Sequence, residues 1–449
     1  MRRVLCVFLA SCYLVVSARW VEANERPNIV VIISDDAGYN EFSLNGSTNF
    51  ATPHIDSIAA NGVRFTEGYT SGTVCSPTRA GLMTGRYQNR FGHEFNVPPV
   101  YSETNGLPLS ETTIADVMQA AGYRTIALGK WHLGYAPAFH PMSRGFTDYY
   151  GFLQGARSYF PLEQPTILNR LLRDREPVEE SFDYMTDELG RAAAAYIADA
   201  KASPFFMYLA FNATHGPNDA TEADIAEVGD GPGNRTHRAM TLALDRAVGV
   251  VLDALETEGI RDNTLVIFVN DNGGVQGHDN TPLAGFKGST WEGGIRVPFA
   301  ISWPAKIPAG QVHTTPVITL DILPTAMAAA GATQGPEKPL DGVDLLPWLT
   351  TKRDDRPHQT LYWKNGTKWA VRDGDLKLVV SPPPPVAGGR RRQGGGGELL
   401  TSLFNIPSDP AESKNLATDQ PGEVARLTAM YEDWSRDFPP TPWGPGSKE

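Results

Sequence analysis

Near its N-terminus the chain reads Pro27–Asn28–Ile29–Val30–Val31–Ile32–Ile33, followed directly by Ser34–Asp35–Asp36–Ala37–Gly38. The nearly unbroken β-branched run predicts a strand buried on both faces of a parallel sheet. Two adjacent acids at the end of such a strand are costly unless something compensates their charge, and a cation does so naturally. The alternative is a helix N-cap with a solvated neighbour.

Three later apolar runs repeat this arrangement, because polar side chains follow each predicted strand. The predicted strands are residues 124–129, 204–211 and 264–269. The polar residues beyond them are Lys130 and His132, then His215, then Asp271 and Asn272. In an open α/β sheet the carboxyl ends of the strands gather along one edge, where ligand sites form. The sequence therefore predicts an α/β fold with a polar site on that edge.

The residue types at this edge indicate two kinds of chemistry. Four of them are hard oxygen donors, which favour Ca²⁺ or Mg²⁺ over zinc: Asp35, Asp36, Asp271 and Asn272. Lys130 and His132 point the same way on an extended chain. A permanent cation beside an imidazole can hold an oxyanion and move a proton, although either residue alone would usually be solvated surface.

A second informative stretch is Cys75–Ser76–Pro77–Thr78–Arg79, which continues as Ala80–Gly81–Leu82–Met83–Thr84–Gly85–Arg86. The other two cysteines, Cys6 and Cys12, lie in an N-terminal apolar segment that we expect to be removed. Cys75 would then have no disulfide partner, and an unpaired thiol in an exported chain has a role or is buried and inert. Its polar, turn-forming neighbours favour a role over a small buried hydrophobe.

The Cys75 stretch resembles the signature of the type I, formylglycine-dependent, arylsulfatase-like sulfatases, in which C-x-P-x-R directs oxidation of the cysteine to formylglycine. Residues 286–298, F-K-G-S-T-W-E-G-G-I-R-V-P, resemble the second family signature, and parts of 403–417 resemble the family's C-terminal tail. The resemblance covers essentially the mature chain. It implies the alkaline-phosphatase-like fold: a large mixed, mostly parallel sheet flanked by helices, plus a small C-terminal antiparallel sheet with a helix.

By matched position the resemblance also implies roles for individual residues. The implied metal ligands, for Ca²⁺ more than Mg²⁺, are Asp35, Asp36, the modified Cys75, Asp271 and Asn272. The implied catalytic residues are Cys75, Arg79, Lys130, His132, His215 and Lys287. The formylglycine hydrate is the nucleophile, Arg79 and Lys130 hold it, and His132 is the base for elimination. His215 and Lys287 face the sulfate, and either can protonate the departing alcohol. A formylglycine-generating maturation enzyme is an implied partner.

Residues 1–23 are predicted to be a secretory signal peptide. Arg2–Arg3 begins it, residues 4–16 are apolar, and Val21–Glu22–Ala23 offers a small-residue cleavage site. A lipobox at Leu9–Ala10–Ser11–Cys12 is the alternative, but it lies early and apolar residues continue after it. We therefore expect an exported protein, periplasmic or secreted, rather than a lipoprotein.

The remaining chain is predicted to form a catalytic domain, residues 24–352, and a small C-terminal α+β subdomain, residues 353–449. Within the latter, the prolines, arginines and glycines of residues 381–397 predict a mobile loop. The formal charge of −12 would become −14 without the signal peptide, so general attraction to nucleic acid or anionic lipid is not expected. No later stretch is apolar enough to cross a membrane.

The expected substrate is a sulfated carbohydrate or another sulfate monoester. Candidate sugar contacts are His93, Glu94, Asn96, Arg157 and His278. We interpret Glu292 and Arg296 as a structural pair that braces a Gly-rich turn. Two alternatives remain open at this point: a phosphonate or phosphate ester hydrolase of the same superfamily, and an inactive glycan-binding descendant.

Overall fold

The computed structural model of the protein describes residues 26–49, 51–351, 353, 355–384 and 398–444. The predicted signal peptide lies outside the described residues, as do residues 385–397 of the predicted loop. The division of the chain at residues 352–353 stays a prediction.

Most strands in the described part of the chain belong to one large sheet. In chain order the strands are β1 (Asn28–Ser34), β2 (Val63–Phe65), β3 (Gly68–Tyr69), β4 (Arg124–Lys130), β5 (Asp148–Phe152), β6 (Leu172–Arg173), β7 (Glu176–Pro177), β8 (Phe205–Ala210), β9 (Thr264–Asn270), β10 (Phe299–Ser302), β11 (Gln311–His313), β12 (Val317–Ile318), β13 (Thr360–Asn365), β14 (Lys368–Asp373), β15 (Leu376–Ser381) and β16 (Leu400–Asn405). The large sheet has the order β11-β2-β10-β9-β1-β8-β4-β5-β6-β7. Its centre is parallel, because β1 pairs in parallel with β8 and β9, and β4 with β8 and β5.

Helices cover both faces of this sheet. In chain order the helices of the described residues are α1 (Pro53–Ala60), α2 (Cys75–Thr84), α3 (Ile114–Ala120), α4 (Met185–Ala200), α5 (Glu222–Val228), α6 (Arg235–Thr257), α7 (Glu292–Ile295), α8 (Ile322–Ala330), α9 (Leu346–Thr350) and α10 (Pro421–Ser435). Alternate residues of β1 enter different cores: Val31 packs with α2, α3 and α8, whereas Val30 and Ile32 pack with α1, α4 and α6. The prediction of a strand buried on both faces is confirmed.

The C-terminal region forms the small antiparallel sheet that was expected. Strands β13, β14, β15 and β16 pair in that order, and α10 packs against them. A buried ion pair joins this sheet to the larger body, since Lys377 Nζ on β15 lies 2.7 Å from Glu292 Oε1 on α7. None of the described helices combines the length and apolar character that a membrane span needs.

Candidate active site

Cys75 is the first residue of α2, and the structure buries it completely. The sequence favoured a role for this thiol over a small buried hydrophobe because its neighbours are polar, but the structure buries those neighbours too. Ser76 Oγ donates to the carbonyl of His132 at 2.7 Å, and Arg79 pairs with Asp271 at 2.8 Å. Burial raises the pKa of the Cys75 thiol well above its usual value, and the charge of Asp271 raises it further. The unmodified thiol is therefore neutral.

Charged side chains surround the sulfur of Cys75. Lys287 Nζ lies 3.0 Å from it, Asp35 Oδ1 lies 3.5 Å away and Asp36 Oδ1 3.9 Å away. Lys287 Nζ is also 2.5 Å from Asp36 Oδ1. Burial lowers the pKa of Lys287, but the negatively charged groups around it, including Asp36, Asp35 and Asp271, raise it, so it ends well above the usual lysine value. Lys287 is therefore protonated at neutral pH.

The predicted metal ligands converge beside the same sulfur. Asn272 Nδ2 donates to Asp36 Oδ1 at 2.8 Å, and the backbone N–H of Asp36 donates to Asp271 Oδ1 at 3.3 Å. Asp36 has a left-handed φ of 63°, which lets β1 turn sharply as it leaves the sheet. Asn272 Oδ1 is buried without a hydrogen-bond partner. Two carboxylates together with an orphaned amide oxygen fit a hard divalent cation.

Arg79 and Lys130 balance the carboxylates on the sheet side of this site. Lys130 Nζ lies 2.5 Å from Asp35 Oδ2, and Arg79 donates to Asp271 Oδ2 through Nη2 at 2.8 Å and Nε at 3.1 Å. Burial raises the pKa of Asp271, but Arg79 and Lys130 lower it by more. The pKa of this carboxyl therefore lies below its usual value, and the group is ionised at neutral pH. Asp271 therefore remains charged in a buried site.

His132 reaches the site by a different backbone path from the one the sequence predicted. Lys130 and His132 do not lie on one extended chain as predicted, because β4 ends at Lys130 and His132 has a left-handed φ of 59°. A Cβ at Gly155 would lie 2.4 Å from the His132 ring, so only glycine fits against it. Burial lowers the pKa of His132 well below its usual value, and the charge of Lys130 lowers it further. The ring is neutral, and its buried Nδ1 has no hydrogen-bond partner.

His215 marks the open side of the site. Its Nε2 lies 3.5 Å from Asp36 Oδ2, and its side chain is 23% exposed, whereas the side chains of Asp35 and Arg79 are fully buried. Tyr159 fixes the backbone of this segment by donating its hydroxyl to the carbonyls of Asn212, at 2.5 Å, and His215, at 2.8 Å. The site is therefore open to solvent at His215.

Comparison with known proteins now decides the family. The sequence profile described as Sulfatase matches residues 27–332. N-acetylgalactosamine-6-sulfatase of Mus musculus is 32% identical over 380 residues, covering 79% of this chain and 72% of that protein. Arylsulfatase A of Homo sapiens is 36% identical over 370 residues, covering 75% and 70%. The chain belongs to the sulfatase family.

Solved structures agree with this assignment. The crystal structure of Ps i-CgsB superposes on this sulfatase with a TM-score of 0.85 at 34% identity, covering 93% of this chain and 94% of that one. A second structure of the same protein, in complex with k-i-k-neocarrahexaose, gives a TM-score of 0.84. The α/β fold, the membership of the family and the enzyme class predicted from the sequence are confirmed.

In this sulfatase Glu292 and Arg296 form an ion pair next to the Gly-rich turn, as expected of a structural pair. Arg296 Nη1 is 3.3 Å from Glu292 Oε2, and Tyr69 donates its hydroxyl to the same oxygen at 2.7 Å. Lys377 supplies a second cation from the C-terminal sheet. These contacts hold the turn that follows Lys287, and they do not reach Cys75.

The candidate sugar contacts are already engaged with protein groups. His93 Nε2 lies 2.6 Å from Ser76 Oγ, and Asn96 accepts from the Ser76 N–H at 2.9 Å. Glu94 pairs with Lys364, Arg157 pairs with Glu180, and His278 pairs with Glu41. Their contact with a sugar stays a prediction.

Sequence reasoning missed two residues that support the site. Asn270 Oδ1 accepts from Ser34 Oγ at 2.8 Å, and its Nδ2 donates to the Ala37 carbonyl at 2.9 Å, so it ties the ends of β1 and β9 together. Tyr208, on β8, accepts from Arg79 Nη1 at 3.4 Å. Asn270 could have been found from its place at the end of an apolar run. Tyr208 carried no such signal.

Proposed function

We propose that this sulfatase hydrolyses sulfate esters of a sulfated carbohydrate, using formylglycine made from Cys75 and a bound divalent cation. The observation that carries the proposal is the convergence on the Cys75 sulfur, because Asp35, Asp36 and Lys287 all lie within 3.9 Å of it. These groups come from two separate segments of the chain, and Cys75 comes from a third. A structural cysteine would not need carboxylates and a lysine against its sulfur.

Oxidation of Cys75 supplies the nucleophile that the buried, neutral thiol does not. The hydrated aldehyde has two hydroxyls. One loses its proton and forms a bond to sulfur as the bond from sulfur to the alcohol oxygen breaks, and the alcohol oxygen takes up a proton. The other hydroxyl then loses its proton, the aldehyde C=O re-forms, and the bond from its carbon to the sulfate oxygen breaks. Position 75 lies at the N-terminus of α2, where the backbone N–H groups also favour a negative charge.

The residues that would hold the cation each present an oxygen atom beside position 75. They are Asp35, Asp36, Asp271 and Asn272, together with the oxidised side chain at 75. The family resemblance favours Ca²⁺ over Mg²⁺, and both ions suit these ligands. A bound cation would lower the pKa of the attacking hydroxyl and neutralise developing charge. Lys130 and Arg79 orient the carboxylates of Asp35 and Asp271, and both bring positive charge to the hydrate.

Protons would move through side chains on two sides of the hydrate. His132 is neutral, so it can take the proton of the second hydroxyl during elimination. His215 and Lys287 both contact Asp36, and each can give a proton to the departing alcohol. Lys287 also places a fixed positive charge where the sulfate oxygens must lie.

The carbohydrate part of the proposal rests on the relatives. One is named N-acetylgalactosamine-6-sulfatase, and Ps i-CgsB was crystallised in complex with k-i-k-neocarrahexaose. Residues 1–23 support export, which would bring the enzyme to extracellular sulfated polysaccharides. The maturation enzyme would then act before the chain leaves the cell or compartment where it is made.

A desulfation screen over defined sulfated oligosaccharides tests the proposal, with phosphate and phosphonate monoesters assayed beside them. We expect sulfate release from a subset of the oligosaccharides, and its loss on treatment with a Ca²⁺ chelator. A strong preference for phosphate or phosphonate would instead indicate the hydrolase alternative. Mass spectrometry of the peptide containing Cys75 comes first. Only unmodified thiol, from a host that matures sulfatases, would favour the glycan-binding descendant.

A further inference from the structure

A second group of metal-ligating side chains lies apart from the catalytic residues. It consists of Glu41, His237 and His278, which we call the Glu-His-His cluster. One carboxylate oxygen of Glu41 and one ring nitrogen of each histidine lie within 4.8 Å of one another. The three residues come from the segment after β1, the first turn of α6 and the loop after β9.

His237 is the unusual member of the cluster, because it is only 5% exposed and both of its ring nitrogens lack a hydrogen-bond partner. Asn234 fixes its place at the start of α6 by accepting from the N–H groups of Thr236 and His237, at 2.9 and 3.3 Å. Burial lowers the pKa of His237 to about 4, so the ring is neutral at pH 7 and offers a free lone pair. An unpaired buried imidazole is costly unless something binds it.

The other two members are held in place by hydrogen bonds. His278 Nδ1 lies 2.7 Å from Glu41 Oε2. Glu41 also accepts from the backbone N–H of Gly38 at 2.8 Å and of Asp279 at 3.2 Å. Hydrogen bonds of this kind orient carboxylate and imidazole ligands around metals in proteins.

Close backbone packing fixes the spacing of the cluster. A Cβ at Gly274 would lie 2.7 Å from His278 Cβ and 2.8 Å from Gly38 Cα, so the loop after β9 rests directly on the segment after β1. The rings of His237 and His278 stack with their centroids 3.8 Å apart and their planes 28° apart.

We propose that the Glu-His-His cluster binds a divalent transition-metal ion of the zinc type. Two imidazoles and one carboxylate are a ligand set that zinc uses with a water in its fourth position. This set differs from the oxygen donors beside Cys75, which favour calcium or magnesium. Ligand atoms of tetrahedral zinc lie about 3.4 Å apart, given bonds of about 2.1 Å. The two stacked rings would therefore turn toward the ion as the ligand atoms close from within 4.8 Å to this spacing.

A metal ion at this cluster would fasten both active-site loops to α6. The segment after β1 carries Asp35 and Asp36 as well as Glu41, and the loop after β9 carries Asp271 and Asn272 as well as His278. The ion would therefore stabilise the arrangement of the catalytic ligands without touching the substrate.

Zinc titration of the purified protein tests this inference, with saturating Ca²⁺ present throughout. After chelation and dialysis, ZnCl₂ is titrated calorimetrically, and the bound zinc is counted by elemental analysis. We expect one zinc per chain, and X-ray absorption at the zinc edge should show two imidazole ligands. His237→Phe keeps the aromatic packing but removes the nitrogens, so it should weaken binding by more than about 100-fold, beyond the loss typical of an outer-shell partner.

Two control variants make the test specific. His140→Phe alters another buried histidine with an unpartnered nitrogen, one that belongs to neither metal-ligating group, and it should bind zinc like the wild type. Asp36→Asn damages the catalytic site and should also keep its zinc, whether or not the protein proves to be a sulfate hydrolase. The inference is overturned if the wild type binds no zinc, if His237→Phe binds it equally well, if Asp36→Asn abolishes binding, or if the absorption spectrum lacks two imidazoles.

Discussion

The ammonium group of Lys287 lies 3.0 Å from the sulfur of Cys75, within a buried site. Burial lowers the pKa of Lys287, but the carboxylates around it raise it above its usual value, so the side chain is charged at neutral pH. We therefore expect it to act on a sulfate ester as a positive charge or as a proton donor, and not as a base.

Replacing this charge should damage the chemical step more than substrate binding. We expect Lys287→Met to lower kcat by about 100-fold to 1,000-fold, the loss typical of removing one group that stabilises developing negative charge. KM should change less. Steady-state kinetics on an activated aryl sulfate and on an unactivated sugar sulfate measure this.

The comparison of the two substrates separates the roles of Lys287. If the lysine protonates the leaving alcohol, the aryl sulfate, whose leaving group needs no proton, should lose less activity than the sugar sulfate. Equal losses on both would indicate a purely electrostatic role. Unchanged kcat would contradict our placement of Lys287 at the sulfate.

Maturation of Cys75 should require an unfolded chain. Every residue from Cys75 to Thr84 is buried in the folded protein. An enzyme that must bind the C-x-P-x-R motif therefore cannot reach this segment. We expect a formylglycine-generating enzyme to convert the urea-unfolded chain or a synthetic peptide of this stretch, and not the folded unmodified protein. Mass spectrometry of the Cys75 peptide measures the conversion.

A destabilised variant provides a second test of the same prediction. A variant that loosens α2, such as Leu82→Ala, removes a fully buried side chain and should cost about 2–5 kcal/mol of stability. It should therefore be converted faster than the wild type under mild denaturant. Rapid conversion of the intact folded chain would contradict the prediction.

The strands that carry the site could be predicted because each is a long apolar run that ends in polar residues. The parallel pairing of β1 with β8 and β9 then brings those ends together, as the sequence argument required. Strand β5 was missed because Asp148–Tyr149–Tyr150–Gly151–Phe152 lacks an aliphatic run. Its Gly151 packs so tightly on Gly129 that a Cβ would lie 2.0 Å from the Gly129 carbonyl oxygen, a contact invisible in the sequence.

The burial of Cys75 and the place of His237 could not be predicted for a related reason. Each depends on partners that are distant in the chain. Arg79 becomes a core residue only because Asp271 meets it from β9, and His237 joins the Glu-His-His cluster only because β1 and β9 are neighbours. The start of α6 at Arg235 is likewise not evident from the apolar pattern, because the first turn after the N-cap residue Asn234 is polar.

Loss of His132 should stop the reaction after sulfate transfer. If His132 takes the proton that drives elimination, His132→Gln should still attack the ester but release sulfate about 100-fold to 10,000-fold more slowly. We therefore expect one rapid turnover of alcohol, followed by very slow turnover, and a sulfated peptide containing position 75. Stopped-flow kinetics and mass spectrometry detect these two signs.

His140→Gln provides the matched control, because His140 is buried but lies against Tyr149, away from Cys75. It should keep steady turnover and accumulate no sulfated peptide. If His132→Gln slows the first turnover as much as the later ones, the histidine acts in the attack and our assignment is wrong.

Stability should also depend on pH through the buried link between the two parts of the molecule. Lys377 lies between two carboxylates, 2.7 Å from Glu292 and 2.9 Å from Glu412. Burial raises the pKa of Glu412 to about 7, and the charge of Glu292 supports this shift. Burial also acts against ionisation of Glu292, but Lys377 together with Arg296 and Arg372 lowers its pKa to about 2. One lysine thus stabilises one ionised acid, and the second acid keeps its proton.

The sign of the effect follows from the proton that Glu412 retains. Between its unfolded pKa of about 4.5 and its folded pKa of about 7, the folded state binds more protons, so stability is lost as pH rises through this window. Glu412→Gln should remove that loss. We expect the stability difference between pH 5 and pH 8 to shrink by on the order of 2 kcal/mol relative to wild type, measured by urea unfolding. Glu432→Gln, at an exposed position of α10, should leave the pH dependence as it is. An unchanged profile in Glu412→Gln would mean that Glu412 is ionised in the folded protein.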